Sequence, residues 1–234
     1  MDDFLSRDIR LAEQGIWTGK NKNKLRIVRK ELLLRERDRI SGEYRFPRQL
    51  LRKISQAEAL EVDLKVLDLA SDFYLKDPVN INVYPSSLIT PVYLKRLQEY
   101  QFKKLTLELI EKQAIDAEKI ARVIPYLKEL KIKLALDDFG TGSANFDVLF
   151  NLPFSRVKVD RMFLDLKDSS SALLHLLLPI KAQSATAILE GIETQQHLEM
   201  AWAVGYRFFQ GWHFDEATVK SQKSNVIHTK KNNS

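Results

Sequence analysis

The feature that most constrains this chain is an alternation. Short apolar, β-branched segments recur along it, and each is followed by a longer stretch whose apolar residues fall at helical spacing. Strands separated by helical crossovers pair in parallel, so the order of elements points to an α/β fold around a parallel sheet. The predicted strands are LRIVRKELLLR, VNINVYP, LTLELIE, IKLALDD, RVKVD, AILEGIE and YRFFQG. Helices are predicted over residues 48–73, 87–100, 114–130, 144–151, 170–182 and 195–204. An eighth strand is placed around Gly15–Gly19, although WTGKNKNK reads more as a hairpin turn. The expected fold is a (β/α)8 TIM-type barrel with an atypical or shortened first strand, which the 234-residue length accommodates. No Pro-rich, Gly-rich or low-complexity stretch divides it, so a single domain is expected over residues 1–218. Residues 219–234 are polar and basic without apolar periodicity, and are expected to be a disordered tail.

Composition removes several chemistries. The chain has no cysteine, which excludes thiol nucleophiles, zinc–thiolate sites and disulfides. No apolar run is long enough to span a bilayer, and the first residues are charged rather than a basic leader before an apolar core. A soluble, cytoplasmic protein with no membrane partner is expected. The formal charge of +6 is concentrated between Lys20 and Lys53 and after Lys220. These runs read as solvated surface, because no stacking motif or recognition-helix pattern accompanies them, and nucleic acid is not the expected partner.

The chemistry lies in polar residues placed late in otherwise apolar strands: Glu31, Asn82, Glu108, Asp137 with Asp138, Lys158 with Asp160, Glu190 and Gln210. Singly, each has an ordinary reading. A strand-end aspartate caps the next helix, Asn82 is a turn residue before Pro85, and Gln210–Gly211 closes a strand. Together they converge, because the C-terminal strand ends of a parallel barrel share one mouth. Six carboxylates would crowd there with Lys158 as the evident cation, and such crowding raises their proton affinities or calls for positive charge between them. Oxygen donors, with His175, His197, His213 and His228 at no ligand spacing, favour Mg2+ or Mn2+ over zinc. Two ions bridged by a carboxylate suit phosphodiester hydrolysis, with Lys158 orienting water or neutralising phosphoryl charge. The tripeptide Asp138–Gly140 invites a kinase reading, which fails because no Gly-rich phosphate loop or catalytic loop of that kind accompanies it.

These residues resemble the EAL phosphodiesterases that linearise cyclic di-GMP. LALDDFGTG, LPFSRVKVDRMFL, LELIE, VNINVYPSSL, ILEGIET and GYRFFQGWHF are similar, in order, to six motifs of that family, and the likeness covers roughly residues 25–214. The literal tripeptide Glu58–Ala59–Leu60 sits in a helical stretch and is set aside as coincidence. KELLLR resembles the family's E-A-L-L-R, which makes Glu31 the candidate ligand. The resemblance implies Glu31, Asn82, Glu108 and Asp137 as ligands of one metal, with Asp137 bridging to a second held by Asp138 and Glu190. It implies Lys158 and Asp160 at the attacking water, Glu193, Gln210 and Gly211 at the substrate end, and Arg35 at a phosphate. Glu111 would brace the loop after Asp138, where Gly140 and Gly142 let the backbone turn. Two Mg2+ or Mn2+ ions, inhibition by Ca2+, a homodimer and cyclic di-GMP as ligand follow from the same likeness. The sequence departs from the family at Leu32, at Glu36 and in a first strand without the usual Y-Q-P. A catalytically inactive receptor or protein-binding regulator is therefore the alternative. No sensor, receiver or cyclase domain is evident, so regulation is expected from expression, dimerisation or a partner protein.

Overall fold

A computed structural model of the protein describes residues 7–51, 54–110, 114–141 and 146–219, with backbone alone at 49 and 50. Val219, the first residue of the expected disordered tail, lies in a strand paired with Ala12, while the rest of that tail, Glu111 and Gly142 lie outside these residues. The chain opens with strand β1 (Ile9–Gly19), strand β2 (Leu25–Arg37) and the short β3 (Tyr44–Arg45), followed by helices α1 (Arg48–Leu51) and α2 (Gln56–Tyr74). Next come β4 (Pro78–Val83), α3 (Pro85–Leu88), α4 (Pro91–Tyr100), β5 (Lys104–Leu109) and α5 (Ala117–Glu129). Then follow β6 (Lys133–Phe139), α6 (Phe146–Asn151), β7 (Arg156–Val159), a 3-10 turn at Arg161–Leu164 and α7 (Ser169–Ala182). The last elements are β8 (Thr186–Leu189), α8 (Gln195–Val204), β9 (Phe208–Phe209) and β10 (Thr218–Val219).

Strands β2, β4, β5, β6, β7, β8 and β9 lie side by side in parallel, as the crossover pattern predicts. Strand β1 pairs antiparallel with β2 on one side and β9 on the other, which closes an eight-stranded α/β barrel. The first strand is thus atypical in direction but not shortened: it is 11 residues long and begins six residues before the predicted Gly15. WTGKNKNK is half strand and half turn, since β1 runs through Gly19 and the reversal takes residues 20–24. Sequence reasoning finds only the Gly15–Gly19 end of this strand, because RLAEQ mixes charge into a run whose burial is set by β2 and β9.

The strands are two-faced. On β4, Val79, Ile81 and Val83 are fully buried toward the helices while Asn80 and Asn82 point into the barrel; on β5, Leu105, Leu107 and Leu109 do the same around Thr106 and Glu108. Val157 and Val159 flank Lys158 in the same way on β7. The outward residues meet Val66, Leu67, Leu97, Ile124, Leu177 and Ala201 from the surrounding helices in one continuous apolar core. A period of two on β4, β5 and β7 therefore separates a greasy outer layer from polar side chains inside the barrel. The helices start where caps dictate: Thr90, Asp116, Asp168 and Thr194 each accept a bond from a first-turn amide. At α2, Ser55 and Glu58 form a reciprocal capping box, so the Glu58 carboxylate is occupied at an exposed helix start. No helix among the described residues is long and apolar enough to cross a membrane.

Candidate active site at the barrel mouth

The C-terminal ends of the parallel strands surround a cavity of about 330 Å³. Its floor is organised by Lys158, only 1% exposed. The Lys158 ammonium lies 3.1 Å from Glu31 Oε2, 3.1 Å from Glu108 Oε2, 3.0 Å from Asp137 Oδ1 and 2.8 Å from Glu190 Oε1. Four carboxylates from β2, β5, β6 and the end of β8 are thus gathered on one cation from β7. Around them, Asn82 Nδ2 donates to Glu31 Oε1 at 2.7 Å, and Gln210 Nε2 donates to Glu31 Oε2 at 2.6 Å and to Gln14 Oε1 at 3.0 Å.

Asp137 and Asp138 are neighbours on β6 and would face opposite sides of a regular strand. The pairing of β6 with β7 shifts between Leu136 and Phe139, and Asp138 takes a left-handed φ of 49°. This bulge turns both carboxylates to the mouth, where oxygens of Asp137, Asp138 and Glu190 lie within 4.8 Å of one another. At Gly211 the backbone has φ of 153°, and an added Cβ would stand 2.2 Å from the Ile192 carbonyl oxygen. Only glycine lets the turn after Gln210 pass so close to the loop after β8.

Burial and charge set the protonation of the cluster. For Glu31, burial pushes the carboxyl up, but Lys158 and the bonds from Gln210 and Asn82 prevail and hold it below its ordinary value. Burial pushes Glu108 up to about 8, with Lys158 opposing and Glu31 and Asp137 adding to the rise. Asp137 and Glu190 are raised for the same first reason, Glu190 strongly. Burial works against the Lys158 cation, yet Asp137, Glu108, Glu190 and Glu31 overcome it and hold the ammonium well above its usual value. A single ammonium cannot balance four ionised acids, so the cluster retains protons that a bound cation would displace.

Of the residues predicted from sequence, Glu31, Asn82, Glu108, Asp137, Asp138, Lys158, Glu190 and Gln210 share this mouth. Arg35 stands two residues beyond Glu31 on β2; burial lowers its proton affinity, Glu31 opposes that, and its Nη1 donates to the Leu34 carbonyl at 2.9 Å. Asp160 caps the 3-10 turn by accepting from the Met162 amide at 2.7 Å, the ordinary reading of a strand-end aspartate. Glu193, on the loop after β8, pairs with Arg161. Glu111 lies outside the described residues. Sequence reasoning did not single out Gln14 on β1, or Asp63 and Tyr84 on the cavity wall. It also passed over Arg29, Asn80, Thr106 and Arg156, although Asn80, Thr106 and Arg156 each sit two residues before a singled-out residue in the same alternating pattern, as Arg29 does before Glu31.

The donor set suits a hard divalent cation. Glu31, Glu108, Asp137, Asp138 and Glu190 offer only oxygen, and Asn82 Oδ1 and Gln210 Oε1 are buried acceptors with no hydrogen-bond partner among the described residues. Orphaned acceptors beside an acid excess are what a bound cation satisfies.

Comparison with known proteins agrees with this geometry. Over 140 residues the chain is 29% identical to the probable cyclic di-GMP phosphodiesterase PdeB of Escherichia coli strain K12, covering 59% of this chain and 27% of PdeB. Over 114 residues it is 32% identical to the cyclic di-GMP phosphodiesterase PdeL of the same organism, covering 47% of this chain and 32% of PdeL. It therefore spans about a third or less of the length of these two relatives. The crystal structure of the Bacillus subtilis YkuI protein, which has an EAL domain and was solved with substrate c-di-GMP and calcium, superposes with a TM-score of 0.78 at 25% identity, covering 94% of this chain and 58% of that one. The profile of the EAL domain matches residues 46–217, about three quarters of the chain. That span begins after β1 and β2, yet the barrel is completed by both strands and Glu31 on β2 meets the matched residues at one mouth. This chain belongs to the EAL domain family.

Proposed function

We propose that the chain is a metal-dependent phosphodiesterase that hydrolyses cyclic di-GMP to linear pGpG. The observation that carries this reading is the gathering of Glu31, Glu108, Asp137 and Glu190 on Lys158, beside buried acceptors without partners. Two Mg2+ or Mn2+ ions bound there would supply Lewis-acid activation of water and stabilisation of the leaving oxygen. Glu31, Asn82, Glu108 and Asp137 would hold one ion, and Asp137, Asp138 and Glu190 the other. Lys158 steadies negative charge on the phosphoryl oxygens and, with Asp160, orients the attacking water. Water adds to one phosphorus, the bond to the ribose 3′ oxygen breaks, and the proton lost by water ends on that oxygen. Arg35 would meet the phosphate, while Gln210, Gly211 and Glu193 complete the substrate end of the mouth. Leu33, Phe46, Val62, Val66 and Ile110 line an apolar lobe of the cavity with Asp63, a shape and chemistry suited to a flat purine.

The same reading includes a single domain over residues 1–218, a homodimer, a cytoplasmic setting and inhibition by Ca2+. Product analysis tests it: purified chain with cyclic di-GMP and Mg2+ or Mn2+ is expected to yield pGpG, and Ca2+ in place of either metal is expected to stop it. Absence of turnover with both metals, with cyclic di-GMP still bound, would instead support a receptor.

A further inference from the structure

Beneath the mouth, the barrel interior carries a second polar layer. Two residues before Glu31, Asn82, Glu108 and Lys158 on their strands stand Arg29, Asn80, Thr106 and Arg156, and the period of two points them inward with their partners. Barrels of this kind are ordinarily filled by layers of branched apolar side chains. Here Asn80 and Thr106 are wholly buried, and burial pushes the Arg29 guanidinium down to about 10, with Arg156 adding to the fall and Glu108 opposing it. Placing two guanidinium groups under a barrel floor costs desolvation, so their bonds must serve an end that apolar packing cannot.

The bonds have a direction. Arg29 Nε donates to Asn80 Oδ1 at 2.7 Å, and Asn80 Nδ2 donates to Glu108 Oε1 at 2.5 Å, while Glu108 Oε2 meets Lys158 at 3.1 Å. An arginine can only donate, so Arg29 fixes which way the Asn80 amide faces. With its oxygen taken, Asn80 must present its NH2 group to Glu108. Arg29 itself is anchored by the carbonyls of Val79 and Lys104, each at 2.7 Å, and by Thr106 Oγ1 at 3.0 Å; Arg156 shares Thr106 at 3.1 Å. We propose that Arg29, acting through Asn80, is a positioning residue that locks the rotation of the Glu108 carboxylate, so that Oε2 is presented to the cation site above. The inference rests on the metal site of the proposed function. It places a support behind one ligand of that site, of the kind whose loss typically weakens metal binding about 10- to 100-fold.

Mn2+ titration by calorimetry tests it independently of turnover, with Mg2+-dependent hydrolysis followed in parallel. Arg29→Met is expected to weaken Mn2+ binding at least about 10-fold, and Arg29→Lys, which can still donate to Asn80, to restore most of it. Should Arg29→Met fail to fold, Asn80→Ala leaves Arg29 its backbone anchors while removing the donor to Glu108, and the same loss is expected. Wild-type Mn2+ affinity in folded Arg29→Met or Asn80→Ala overturns the relay and leaves the phosphodiesterase reading intact. A wild-type chain that binds no Mn2+ overturns both. Weakened Mn2+ binding in the variants, with no hydrolysis by the wild type, upholds the relay while removing the catalytic reading.

Discussion

The two polar layers inside this barrel are differently finished. In the lower layer, Arg29, Asn80 and Thr106 satisfy one another and nearby carbonyls, and no buried side-chain nitrogen or oxygen of these three lacks a partner. In the upper layer, Asn82 Oδ1 and Gln210 Oε1 find none among the described residues, and four carboxylates share one ammonium. A completed buried network rigidifies, whereas an incomplete one with excess charge marks the place where a ligand is bound. The lower layer is a mount and the upper layer a site.

The largest effect that could break this contrast is expected at Lys158. Lys158→Met leaves four acids without their cation, a loss that typically costs about 3–5 kcal/mol for a buried pair. Denaturant unfolding without divalent ions should show it, and Mn2+ should restore part of the stability; an unchanged midpoint would mean that the upper layer is not strained by charge. Hydrolysis should fall at least about 10²-fold, as for loss of a preorganised charge stabiliser.

Asp63 sharpens the contrast at the cavity wall. Burial pushes its carboxyl up to about 8, against the nearby Ser87 hydroxyl and the bond from the Tyr84 amide, compared with 3.8 in the open chain. The folded protein therefore retains a proton that the unfolded chain gives up across that window. Its contribution to stability is complete below pH 3.8 and is lost as pH rises through about 8. Asp63→Asn keeps an acceptor for Tyr84 and removes the titration. It should gain roughly 5 kcal/mol over the wild type at pH 8 and nothing near pH 4, read from urea midpoints at both values. A constant difference at the two pH values would contradict the assignment.

The smallest effect is expected at the start of α2. Ser55→Ala removes one arm of the capping box and should cost about 1 kcal/mol with Mn2+ affinity unchanged, because this helix start lies outside the mouth. A change in metal binding would show that α2 reaches the site through its cap.

Much of this was legible in the sequence. V-N-I-N-V and L-T-L-E-L state in plain alternation which side chains enter the barrel, and the crossovers state that their ends meet. Glu31 was separable from Glu58 on placement alone, one on a strand and the other three residues after a capping serine. Strand β1 was legible only at its Gly15–Gly19 end, because the burial of the rest comes from antiparallel pairing with β2 and β9, which RLAEQ does not announce. The left-handed turn at Asp138 was hidden as well, since a bulge is a property of the pairing between β6 and β7. The lower layer was visible in the same alternation and passed over; Arg29 falls within the basic run between Lys20 and Lys53 that reads as solvated surface.

The central claim is that Glu31, and not the literal EAL tripeptide, anchors the metal chemistry of this barrel. Initial rates of pGpG formation from cyclic di-GMP with Mg2+, compared between Glu31→Ala and Glu58→Ala, test it most directly. The account predicts that Glu31→Ala abolishes turnover while the variant remains folded, and that Glu58→Ala keeps the wild-type rate. Retained turnover in Glu31→Ala, or its loss in a folded Glu58→Ala, would contradict it.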